Sequence, residues 1–276
     1  MTGSDTPEPG ERRWPDAALR VVFAGVVVAA GLTGFLLLAF PGSSGRTFSW
    51  SLTPEPLVAL VGGLYLASAV TFGYALRRTW PETRGLTVSI LALTVPTLVV
   101  TLKHRATFDF DRPLAILWIV LFAVTPVLVA AILIAHPPGR QAVVAGDEAP
   151  LLGWVAVVLG LFSLAFLGHG IELWIDPAKF GRTFPFDLPP LGGRFIGCWL
   201  VFLAVLTGYA ALRRRRSEAL VTLVALPAFA GGALAGALRT FDQLHPPAER
   251  ASYVAVLAVL SLVGLVLLAL TVDRRA

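Results

Sequence analysis

A chain of 276 residues with 56% hydrophobic and only 14% charged side chains cannot fold as a soluble domain, whose composition runs to about a quarter charged residues. Its net charge of +5 would suggest nucleic acid in a soluble protein, but the basic residues fall in short loops between apolar runs, where they set membrane orientation and imply no nucleic-acid partner. The lone cysteine, Cys198, excludes a disulfide framework and a thiolate metal cluster, and reads as a small packed residue.

Residues 1–18, with Pro7, Pro9, Gly10 and Pro15 among alternating charges, show no apolar periodicity and read as a disordered cytoplasmic tail. Eight apolar runs follow, at 21–40, 57–76, 85–102, 113–135, 151–172, 195–212, 219–238 and 251–272. Each is long enough to cross a hydrocarbon core about 30 Å thick. The first is too long for an ordinary signal-peptide core and is expected to stay as a span.

With both termini in the cytoplasm, thirteen of the 22 basic residues lie inside, led by the run Arg213 to Arg216, while the 17 acidic residues divide almost evenly. The bias is carried by arginine, as the positive-inside rule requires. The Arg213 to Arg216 run reads as a topology anchor that also attracts anionic lipid. Arginine far outnumbers lysine and Ala, Val, Leu and Gly are abundant, a usage typical of a GC-rich bacterial coding sequence, so the expected location is a bacterial cell membrane.

Residues 21–82 align with 157–218 at a constant offset of 136 without a gap, with 19 of 62 positions identical. The match includes Gly45-Arg46-Thr47-Phe48 with Gly181-Arg182-Thr183-Phe184, Pro41 with Pro177, and Ala75-Leu76-Arg77-Arg78 with Ala211-Leu212-Arg213-Arg214. Apolar composition alone does not produce such loop identities. After a shift of three residues, Thr107-Phe108-Asp109 and Pro113 pair with Thr240-Phe241-Asp242 and Pro246. Pro96 and Pro227 fall inside the third span of each unit, where each is expected to kink or unwind its helix. The expected fold is an all-α integral membrane protein of eight transmembrane helices, arranged as two tandem parallel four-helix repeats, N-in and C-in. The repeats cover 19–136 and 151–276, joined by a cytoplasmic linker at 137–150.

The outer face holds the residues that could carry chemistry. Phe48 and Trp50 of one long loop, and Phe180, Phe184 and Phe186 of the other, are expected at headgroup depth. Arg46, Arg105 and Asp109 in the first repeat, and Arg182, Arg239 and Asp242 in the second, fit two readings. One is a pocket whose guanidinium forks bind carboxylate or phosphate; the other is Arg-to-Asp pairing that pins each loop to its bundle. His169, Glu172 and Asp176, spaced i, i+3 and i+7, share one face if the fifth helix continues, and suit a divalent metal or a proton relay as well as an interfacial belt. Histidine positions do not supply a facing haem pair, so no cofactor is expected. Glycines at 25, 31, 34, 62, 63, 232 and 236 read as helix-packing positions.

Three functions follow from these features. A non-enzymatic scaffold, accessory subunit or lipid-contacting protein fits the shortage of mid-membrane charge, with lipids and a membrane-protein partner or second copy as its contacts. A small-molecule transporter with a site between the repeats is the alternative, drawing on Thr87, Ser89, Thr94, Thr97, Thr101 and Thr125 for polar groups. A lipid-acting enzyme using Glu172, Asp176 or Asp187 ranks last, for want of a nucleophile.

Overall fold

The computed structural model describes residues 14–137 and 150–272. Most of the expected tail and linker, with Arg12, Arg13, Arg140, Arg274 and Arg275, lies outside the described residues. Eight long helices account for most of the rest: α1 (Trp14–Ala39), α2 (Glu55–Ala75), α3 (Trp80–Lys103), α4 (Pro113–Ala135), α5 (Gly153–Ile175), α6 (Pro190–Arg213), α7 (Arg216–Arg239) and α8 (Pro247–Val272). All eight are long and apolar enough to cross a membrane, which makes this an all-helical, multi-pass membrane protein.

Local chemistry explains the helix ends. Proline occupies the first turn of α2, α3, α4 and α6, where its missing N–H is no loss. Thr79 and Glu82 form a reciprocal capping box at the start of α3, with the Thr79 amide donating to Glu82 Oε2 at 2.8 Å. Arg214 ends α6 in the left-handed conformation (φ 52°, ψ 26°), and its carbonyl accepts from Leu151 N at 2.8 Å, tying the start of α5 to the α6–α7 turn.

Two expectations change. The helix of the first span begins at Trp14, inside the stretch assigned to the tail, because Pro15 suits a first helical turn and Leu19 then packs into the core. Of the kink or unwound stretch expected at Pro96 and Pro227, the unwound stretch does not occur, since α3 and α7 are continuous helices through both prolines. A single missing N–H is tolerated in a span whose neighbours pack against the gap; at Pro227, Gly264 of α8 does so, with an added Cβ meeting the proline ring at 2.8 Å.

The helices sort into an inner and an outer set. Half to two-thirds of the apolar stretch is buried in α2, α3, α6 and α7, against about a fifth in α1, α4, α5 and α8. Inside, α2 packs on α7 and α3 on α6, with α3 also touching α7; outside, α1 lies on α2, α4 on α3, α5 on α6 and α8 on α7. Lipid removes the usual apolar drive for association, so close backbone approach must supply it. Gly63 and Gly232 make the α2–α7 crossing, where a Cβ on Gly63 would stand 2.0 Å from the Gly232 carbonyl oxygen. Gly34, Gly62 and Gly236 also sit at such approaches, whereas Gly25 has open space around it and Gly31 makes only an ordinary contact.

The bundle has two distinct ends. At one, Arg78 pairs with Glu82 (3.3 Å), while Arg213 and Arg215 converge on the buried Glu218 at 3.2 and 3.4 Å. At the other, the loops interlock: Ser49 Oγ donates to Leu114 O (3.2 Å), His245 N to Pro185 O (2.7 Å), and Gln243 Nε2 to Glu55 Oε2 (2.7 Å). These are called the arginine end and the loop end below.

Candidate functional site

At the loop end of α5, His169 Nδ1 lies 3.3 Å from Glu172 Oε2, its Nε2 lies 3.5 Å from Thr183 Oγ1, and its ring stacks on Phe184. α5 stops at Ile175, so Asp176 leaves the helix (φ −136°, ψ 80°) and its Oδ1 accepts from Lys179 N at 3.1 Å, capping the short helix Pro177–Phe180. The structure therefore brings His169 to Glu172 but directs Asp176 elsewhere. Among the described residues, no group of three or more His, Cys, Asp and Glu side chains is placed to hold a metal ion.

The arginines and aspartates of the two loops do not gather. Arg46, Arg105, Arg182, Arg239 and Asp242 are exposed, and among the described residues none of them makes an ion pair. Asp109 pairs instead with Arg112 at 2.7 Å, and Arg112 also donates to the Gly45 carbonyl. Arg112, not Arg46 or Arg105, ties the first loop to the bundle. Its signal in the sequence was the i, i+3 spacing from Asp109, on the first turn beside Pro113.

A second anchor was also missed. Arg194 of α6 donates to the Trp174 carbonyl (3.1 Å) and faces His104 Nε2 at 3.0 Å, joining the ends of α3, α5 and α6. Partial burial first, then the charges of Arg194 and Lys103, hold the His104 pKa below the ordinary histidine value. The neutral ring can then accept from the guanidinium.

Phe48 and Trp50, expected among headgroups, turn inward and are each 4% exposed. Trp50 stands between Phe108, Trp118 and Phe195 at centroid distances of 5.0, 5.1 and 5.4 Å, while Trp118 lies 4.4 Å from Phe122 and gives its indole N–H to Thr101 (3.1 Å). Edge-on and tilted rings at these distances fill space densely. The loop folds over the bundle, so its rings are covered by helices rather than by lipid.

In the second half of the chain the matching region is open. There α8 presents Tyr253, Val256, Leu257 and Leu260, while Ala251 and Ala255 are exposed. A cavity of about 410 Å³ lies among α5, α6, α7 and α8, reaching Leu60 and Leu64 of α2. Its walls are aliphatic and aromatic except for His169, Thr183, Trp199 and Tyr253. Ala165 and Val256 line it and are themselves exposed, and α5 and α8 do not pack along each other, so it opens sideways between these two outer helices.

The interior hydroxyls are largely committed. Thr87, Ser89, Thr94 and Thr101 donate to carbonyls four residues back in α3, at 2.8–3.0 Å.

The chain matches no protein-family model, no curated protein and no solved structure.

Proposed function

We propose that this protein is a non-enzymatic, lipid-contacting component of a bacterial cell membrane, built from two parallel four-helix repeats with both termini in the cytoplasm. Several features support the repeat. Exchanging α1 for α5, α2 for α6, α3 for α7 and α4 for α8 turns the α1–α2, α2–α7 and α3–α4 pairs into the observed α5–α6, α3–α6 and α7–α8 pairs, while the lesser α6–α7 contact has no counterpart of like extent. Gly34 at the α1–α2 crossing and Gly170 at the α5–α6 crossing are register equivalents, and an added Cβ at each would meet partner-helix backbone at 2.7 and 3.0 Å. Glu82 and Glu218, also equivalents, both receive arginine at the arginine end. That end carries the Arg213 to Arg216 run, which favours the cytoplasmic side.

The observation that carries the functional reading is the sideways-opening apolar cavity. A wall of this chemistry, reached from between two lipid-exposed helices, suits a hydrocarbon chain rather than a hydrated solute. A carrier with a site between the repeats is less well supported, since Thr87, Ser89, Thr94 and Thr101 are spent on their own helix and Thr97 alone of the α3 candidates is buried without a hydrogen-bond partner among the described residues.

Native mass spectrometry of the full chain after exhaustive detergent exchange tests the reading. About one phospholipid retained per chain is the expected result for a pocket of this kind. A chain that sheds all lipid and, in proteoliposomes, passes a small solute would overturn it in favour of the carrier.

A further inference from the structure

The cavity ends at the turn Arg182-Thr183-Phe184, and two more open depressions, of about 660 and 450 Å³, adjoin that turn. Thr183, Tyr253 and Val256 line both the cavity and the smaller depression, so the apolar volume runs directly into a polar surface. At about 410 Å³, the cavity falls within the roughly 300–1,000 Å³ typical of small-molecule sites. Deeper in, the Trp199 indole N–H is buried without a hydrogen-bond partner among the described residues.

The polar surface carries both signs. Arg182 and Glu249 line both depressions and Asp187 lines the larger one, yet among the described residues none of the three is in an ion pair. A purely anionic headgroup would meet one guanidinium and two carboxylates, an unfavourable balance. A headgroup holding a phosphate and an amine satisfies both signs at once.

Building on the lipid-contacting reading above, we infer that the second half binds one zwitterionic phospholipid. One hydrocarbon tail enters between α5 and α8, the phosphate meets Arg182, and the amine meets Glu249 and Asp187. In the first half, Trp118 and Phe122 of α4 are buried in the aromatic cluster with Trp50.

The test adds lysophosphatidylethanolamine or lysophosphatidylglycerol to the detergent-purified full chain and reads binding by native mass spectrometry and thermal shift. The amine-bearing lysolipid should bind roughly tenfold more tightly than the anionic one, the range expected for a matched headgroup charge. Ala165→Trp, at the exposed mouth, should abolish binding, while Ala29→Trp at the equivalent exposed position of α1 should leave it unchanged. Arg182→Ala should weaken both lysolipids, and the pair Glu249→Gln with Asp187→Asn should erase the preference between them. All five positions are exposed, and unchanged melting of the lipid-free variants verifies that the fold is intact. Equal affinity for the two lysolipids, or binding that survives Ala165→Trp, overturns this site while leaving the lipid-contacting reading in place. Loss of all lipid by the unmodified chain overturns both.

Discussion

Gly63→Leu should destabilise the bundle by about 3 kcal/mol or more, at or beyond the upper end of overpacking penalties. The new side chain has nowhere to go: its Cβ alone would fall 2.0 Å from the Gly232 carbonyl oxygen and 2.4 Å from the carbonyl carbon, both backbone atoms of the facing helix. Rotamer changes cannot relieve a clash with backbone, so α2 and α7 must separate. Because that contact joins two inner helices, one from each half of the chain, separation exposes the rest of the interior as well. Gly25→Leu supplies the control, since nothing lies within 4 Å of a Cβ there; it should change stability by less than about 0.5 kcal/mol. Thermal melting of the two variants in the same detergent checks both values.

Trp50→Ala should cost about 3–5 kcal/mol, the range for emptying a large aromatic site in a packed core. Trp50 is 4% exposed and its ring meets those of Phe48, Phe108, Trp118 and Phe195, so its loss leaves a void walled by four aromatic side chains. Phe186, at the equivalent position 136 residues on, is only half-buried, with Phe184 and Tyr253 as ring neighbours. Phe186→Ala should therefore cost about 1 kcal/mol, close to the average for a single substitution. Equal losses in the two variants would mean that the aromatic cluster is not the dense part of the loop end.

The spans were legible because their signal is simple: a run of about 20 apolar residues has little alternative to crossing a bilayer. Positions within loops were harder to read. A ring in a loop reads as interfacial, and nothing local to Phe48 or Trp50 announces that the loop folds back beneath it. The spacing of His169, Glu172 and Asp176 put three polar groups on one face only while the helix continued, and Pro177 ended it one residue too soon for Asp176. Arg112 was overshadowed by arginines inside the matching tetrapeptides, although its tie to Asp109 rests on a three-residue spacing. The cavity had no positive signal at all. Its walls come from five helices, α2 and α5 to α8, and only the packed bundle brings them around one volume.

The proposal rests most heavily on the two Gly-Arg-Thr-Phe turns lying on the same, extracytoplasmic side. Arg46 and Arg182 are exposed and the native Cys198 is buried, so cysteines introduced at these two arginines can be labelled without background. In intact cells, a membrane-impermeant thiol reagent should modify both Arg46→Cys and Arg182→Cys, and should reach Arg77→Cys and Arg214→Cys only after permeabilisation. Labelling of Arg46→Cys and Arg182→Cys from opposite sides would contradict parallel repeats, and labelling of both only from the cytoplasm would contradict the orientation.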